Sequence, residues 1–98
     1  MPYAVIALDK EGGAPLRAEL RPKHLVHLEQ YAGKLLAGGA MLADDGATPV
    51  GSLLIIDSED RAEVEAIVAA DPFTQAGLFQ SVSIRPWRKV YFDGAKAG

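Results

Sequence analysis

The stretch from Asp71 to Val90, DPFTQAGLFQSVSIRPWRKV, constrains this chain more than any other. Asp71 precedes Pro72, which biases it away from the α region, so a helix that reaches it must end there. Gly77 then permits a sharp turn. From Phe79 to Arg85 the residues alternate, with Gln80, Val82 and Ile84 on one side and Phe79, Ser81, Ser83 and Arg85 on the other. A period of two reads as a strand with two chemically different faces. Pro86 weakens the pairing or confines it to an edge. A carboxylate is therefore held at a helix-to-strand corner. The strand beside it carries hydroxyls, an arginine and an aromatic ring on its second face, polar groups that a core does not need.

Upstream, Tyr3 to Leu8 is a nearly continuous apolar run with β-branched Val5 and Ile6, read as a central strand buried on both faces. Asp9 to Pro15 is a polar, glycine-bearing loop, and Leu16 to Leu20 has room for a helical turn. Arg21-Pro22 then marks a boundary, with Pro22 at the first position of the first main helix and His24 in its first turn. Leu25, Leu28, Ala32 and Leu35 recur at three- and four-residue steps as one apolar stripe, leaving His27, Glu29, Gln30 and Lys34 off it. Leu35 to Leu42, interrupted by Gly38-Gly39, is a bent or bulged strand. The DDGATP cluster at Asp44–Pro49 turns the chain into a further strand, Val50 to Ile56, giving an antiparallel hairpin. Asp57 or Ser58 caps a second helix, which directs Val64, Ile67, Val68 and Asp71 inward. A polar tail, Asp93 to Gly98, is expected to fray.

The order β-α-β-β-α-β predicts a ferredoxin-like α+β fold, a four-stranded antiparallel sheet with two helices on one face. At 98 residues it is read as one domain, residues 1–98. The opposite face, with Phe79, Trp87 and parts of the apolar runs, would be bare, and a large bare apolar face is unusual on a monomer. A homodimer through the sheet faces is the inference.

Several function classes are disfavoured. The net charge is −3, and the basic residues form no block, so nothing attracts a phosphate backbone. The sheet also lacks the middle-strand aromatics of RNA-binding domains, Tyr3 excepted, so no nucleic-acid partner is expected. No apolar run is long enough to span a membrane, and the first ten residues do not read as a signal peptide. With no cysteine there is no disulfide staple, no thiolate nucleophile and no Cys-based metal site, which favours a cytoplasmic location. No metal or cofactor is expected: His24 and His27 have ligand-like spacing, but no third ligand completes a site. His27 is read as an exposed helix residue. No G-x-S-x-G elbow surrounds Ser52, Ser81 or Ser83, which argues against a serine hydrolase.

The motif DPF-x₃-GLF-x₂-V-x-IRPW resembles the end of the YCII family of YciI-like proteins. RPKHL at Arg21–Leu25, KLLAGGAM at Lys34–Met41 and GSLLI at Gly51–Ile55 extend the resemblance over nearly the whole chain. It implies an α+β barrel dimer, an architecture shared with muconolactone isomerases. It also implies an active-site dyad formed by the His of RPxH and the Asp of DPF, here His24 and Asp71.

Sequence spacing alone leaves that pair open, since helices packed parallel do not bring these two ends together. The chemistry suits: a carboxylate fixes the tautomer and orientation of an imidazole, making it a general acid or base near neutral pH. Arg17 and Arg21 are candidates for binding an anionic substrate beside His24, against a role as ordinary surface charge. Ser52 and Ser83 are candidates for hydrogen bonds to a ligand, against a place at the subunit contact. The resemblance implies a small cofactor-independent enzyme doing isomerisation, elimination or dehydrohalogenation on a small anionic or cyclic compound. The alternative is a non-catalytic ligand-binding or accessory module using the same pocket.

Overall fold

A computed structural model describes residues 1–97 and gives a four-stranded antiparallel sheet in the order β2-β3-β1-β4. The strands are β1 (Tyr3–Asp9), β2 (Leu35–Leu42), β3 (Pro49–Ile56) and β4 (Phe79–Pro86). Helices α1 (Ala14–Glu29) and α2 (Arg61–Ala70) cross one face, and the one-turn helix α3 (Pro72–Gln75) leads into β4. This is the ferredoxin-like α+β arrangement that the βαββαβ order predicts.

The register assigns each side chain to a face. Val5 lies opposite Leu54 and Ile84, and Ala7 opposite Ser52 and Val82. These belong to the helix-covered side, where Val5, Leu54 and Ile56 pack against Val64, Ile67 and Val68 of α2. The three α2 residues stand at helical steps of three and four, so a single stripe enters the core. Burying each contributes about 1.5–3 kcal/mol as an upper estimate. The other face is open. Ile6, Leu8 and Leu53 alternate with the core positions and remain 40–46% exposed, so β1 is buried on one face rather than both. Ser83 pairs with Ile6 on this open face.

One alternation is broken. The β1–β4 register shifts between Leu8 and Asp9, whose partners are Ser81 and Phe79. The irregularity at Gln80 turns Phe79 to the helix side, where it meets the edge of Phe73 at 6.0 Å between centroids. The expectation that Phe79 shares a face with Ser81 and Ser83 is thereby corrected.

Helix α1 also differs from its expected bounds. It is one helix, with Pro15 in its first turn and Pro22 inside it, and His24 lies well within it. Pro15 is the start signal that Pro22 was expected to be. The cap of α2 is neither Asp57 nor Ser58 but Asp60, which accepts from Ala62 N at 2.9 Å, while Ser58 accepts from Asp60 N and donates to Glu63. At the C-terminus, Asp93 and Gly94 both have positive φ and join β5 (Tyr91–Phe92) to β6 (Ala95–Lys96). Two such residues make the turn a hairpin prefers, so the described part of the expected frayed tail is a tight turn and a two-residue paired strand. Gly98 lies outside the described residues.

Candidate active site

The site begins at the end of α2. Asp71 takes an extended conformation, φ −62° and ψ 130°, as a residue before proline must. It closes α2 and caps α3 at once, accepting from the Phe73 N–H at 2.9 Å. The two long helices run antiparallel, because each returns antiparallel to its own preceding strand and those strands, β1 and β3, are themselves antiparallel. The expectation of parallel helices is corrected. Antiparallel packing sets the middle of α1 against the end of α2.

His24 thereby meets Asp71. Its Nδ1 lies 2.8 Å and 3.0 Å from the two carboxylate oxygens, and both residues are buried. An ionised carboxylate only accepts, so Nδ1 donates and carries the proton. In the neutral ring, Nε2 is then an acceptor. Phe73 stacks on the imidazole, with centroids 4.0 Å apart and planes 15° from parallel.

Arg17 sits two helical turns before His24 and is 5% exposed. Its Nε and Nη2 donate to Asp9 at 2.7 Å and 2.9 Å, a bidentate pair, and Nη2 also donates to Ser52 Oγ at 2.9 Å. Its guanidinium lies 4.6 Å from the centroid of Phe73. Neither Asp9 nor Phe73 was identified as a site residue from the sequence. Asp9 follows an apolar strand and reads as the start of a loop. For Phe73, Asp-Pro-Phe is itself a helix-start signal, an N-cap followed by proline, and could have disclosed α3.

A cleft of about 210 Å³ opens between α1 and the β2–β3 hairpin. Arg17, Arg21, His24 and Leu28 line it from the helix, spaced at three and four residues along one face. Gly38, Gly39 and Ala40 line it from β2, where almost no side chain fills the space, and Ser52 and Leu54 form its floor. Five of the six residues expected at the site thus border one space or the pair beside it: Arg17, Arg21, His24 and Ser52 line the cleft, and Asp71 is bound to His24 from behind. Ser83 is the exception, because its position on β4 faces the open side of the sheet.

Among the described residues Arg21 has no ion-pair or hydrogen-bond partner, and it is exposed. The cleft therefore offers one guanidinium neutralised by Asp9 and one that is not. Ser52 spends an acceptor site on Arg17 and keeps its own O–H to donate. His27 is buried, not exposed, with Nε2 at 2.8 Å from the Ile67 carbonyl oxygen. The two histidines address separate partners and do not converge on a shared point. Among the described residues no three His, Cys, Asp or Glu side chains gather as metal ligands.

This architecture can be compared with known proteins. The model of the YCII-related domain matches residues 1–88. The chain belongs to the YCII family. Protein YciI of Escherichia coli O6:H1 is 35% identical over 98 residues, covering 93% of this chain and all of that one. An uncharacterized protein of Haemophilus influenzae is 30% identical over the same shares. Among solved structures, this YCII chain is similar to 5-chloro-2-hydroxyhydroquinone dehydrochlorinase (TftG) from Burkholderia phenoliruptrix AC1100, in complex with 2,5-dihydroxybenzoquinone. The TM-score is 0.83 at 33% identity, over 90% of this chain and 94% of that one. No helix among the described residues is long and apolar enough to cross a membrane.

Proposed function

We propose that this YCII chain is a small acid–base enzyme that moves a proton on a small cyclic or aromatic compound with an anionic group. The observation that carries the reading is the buried His24–Asp71 pair at the wall of the cleft. The similarity to a dehydrochlorinase crystallised with a dihydroxybenzoquinone supports elimination as the reaction class.

In this reading His24 Nε2 accepts a proton from a carbon or hydroxyl of the substrate. Asp71 holds the ring in the required tautomer and stabilises the imidazolium that forms. The electron pair left behind makes the new double bond. In an elimination the leaving group departs from the neighbouring carbon with its own pair; in an isomerisation the proton returns elsewhere. Ser52 O–H, oriented by Arg17, donates to the oxygen on which charge develops. Arg21 meets the anionic group at the cleft's rim. Positioned proton transfer of this kind contributes typically about 10²–10⁴-fold in rate.

The open sheet face, with Ile6, Leu8 and Leu53, supports a homodimer through that face. Ser83 would then lie at the contact between copies.

The test is direct. Chlorinated hydroxyhydroquinones are offered to the protein and chloride release is followed, with 2,5-dihydroxybenzoquinone as the binding probe. Turnover that falls by two or more orders of magnitude in His24→Ala supports the reading. Binding of the quinone without turnover of any such compound would sink it in favour of a ligand-binding module.

A further inference from the structure

Helix α2 leaves one of its own carbonyls over. At its last turn the Asp71 N–H bonds to Val68 O at 3.2 Å, three residues back. A continuing helix would have given that N–H to Ile67 O, four back. The chain cannot continue, because Asp71 must turn extended ahead of Pro72. Ile67 is buried, so its carbonyl needs another donor. His27 supplies it, with Nε2 at 2.8 Å. A carbonyl oxygen only accepts, so Nε2 of His27 carries the proton. Tyr31, one turn further on, meets the His27 ring edge-on at 5.4 Å and limits its rotation.

This bond and the His24–Asp71 bond form a pair. His24 and His27 stand one turn apart on α1; Ile67 and Asp71 stand one turn apart at the end of α2. Because the helices are antiparallel, 24 meets 71 and 27 meets 67. Among the described residues these are the hydrogen bonds that join α1 to the segment from α2 to α3. Sliding or rotating α2 against α1 would stretch both together.

We propose that His27 is a positioning residue: its bond to the Ile67 carbonyl fixes where α2 ends against α1, and so holds the Asp71 carboxylate on His24. Its consequence for turnover rests on the proton-transfer reading above; the positioning itself does not. Filling the same space with an apolar ring would keep the packing and lose the register.

Two substitutions separate these roles. His27→Phe keeps a ring and removes the donor. His27→Gln places an amide N–H about where Nε2 stands and keeps it. The first readout is the proton on His24 Nδ1, followed by NMR without any ligand. It should stay sharp and slowly exchanging in wild type and in His27→Gln, and exchange at least about tenfold faster in His27→Phe. The second is turnover or quinone binding. kcat should fall about ten- to hundredfold in His27→Phe with little change in KM, the scale of a misplaced catalytic group, and recover in His27→Gln. If His27→Phe does not fold, His27→Asn, too short to reach the carbonyl, takes its place with the same expectation. A folded donor-less variant with an unchanged His24 proton overturns the proposal, as does equal loss in the Gln and Phe variants. If the NMR result holds but no compound is turned over, positioning stands and the enzyme reading falls.

Discussion

Phe73 stacks on His24 at 4.0 Å while its own backbone N–H donates to Asp71 Oδ1 at 2.9 Å, so one residue restrains both members of the buried pair. The carboxylate is fixed through the backbone and the imidazole through its ring face. Loose catalytic groups forfeit orientation, and this arrangement leaves neither loose.

The first prediction follows from that geometry. Nδ1 of His24 carries its proton against Asp71 and Nε2 is free. Nitrogen-resolved NMR of the histidine side chains should find the Nδ1-protonated tautomer in neutral wild type. Asp71→Asn should abolish that preference while the fold persists. The two residues should also act as a unit in any activity found. His24→Ala combined with Asp71→Asn should cost little more than the worse single change. Fully additive losses would mean that the contact has no part in the chemistry.

The open sheet face gives the second. Sedimentation at micromolar concentration should return twice the chain mass. Leu53→Glu, on the open face of a central strand and 40% exposed, should shift the protein toward monomer without unfolding it. A wild-type protein that stays monomeric, with no binding of a dye for exposed apolar surface, would show that the face needs no partner.

The third concerns metal. His24 and His27 face different partners, and the proposed chemistry routes no step through an ion. Elemental analysis of tag-free protein should find no stoichiometric metal, and chelation should leave melting and activity unchanged. One equivalent of zinc or iron, lost in His24→Ala, would replace the proton-transfer mechanism with a metal one.

Much of the architecture was legible because it rests on apolar periodicity. The runs Tyr3–Leu8 and Val50–Ile56 and the Val64-Ile67-Val68 stripe are signals that burial itself writes into a sequence. Helix α1 was harder for the complementary reason. Its fully buried side chains are Arg17, His24 and His27, while of the apolar stripe Leu25 is exposed and Leu28 packs only partly buried against the core, so apolar periodicity does not disclose the polar residues that this face buries. Asp9 was invisible because an ion pair leaves no local spacing: its partner Arg17 lies across a loop on the next element. The position of Phe79 depended on one irregularity at Gln80, and a bulge inverts every alternation beyond it. His24 and Asp71 were recoverable from a resemblance, and the antiparallel helices supply the physical reason that they touch.

The β2–β3 turn yields a pH prediction. Asp45 accepts from Ala47 N, Thr48 N and Thr48 Oγ1, which together hold its carboxyl down at about 2, against an ordinary 3.8. The bonds favour the charged form, the side-chain bond to Thr48 most. A carboxyl depressed on folding stabilises above its unfolded value and loses that contribution as pH falls toward its folded one. The stability difference between wild type and Asp45→Ala should therefore be flat above pH 3.8 and shrink from there toward pH 2. Urea melts at several pH values measure it, and a difference that grows on acidification would contradict the sign.

The last prediction separates the two arginines, which the sequence offered as equals. Arg17 is buried and bound to Asp9, whose side chain is 4% exposed, so its charge is already spent inside the fold. Removing one partner of a buried pair strands the other charge, at a cost of about 3–5 kcal/mol. Arg17→Met should therefore destabilise the protein by about that amount. Adding Asp9→Leu should recover much of the loss, because an apolar pair of similar volume is often neutral. Arg21 is exposed and has no such partner among the described residues, so Arg21→Ala should change stability by no more than about 0.5 kcal/mol. It should instead weaken binding of an anionic ligand, and wild-type affinity should fall as salt is raised while that of the variant barely responds. Denaturant melts and quinone titrations at two ionic strengths test both halves. If Arg21→Ala binds like wild type while Arg17→Lys, which retains the charge, loses affinity without losing stability, then Arg17 is the residue that meets the ligand and the division drawn between them is reversed.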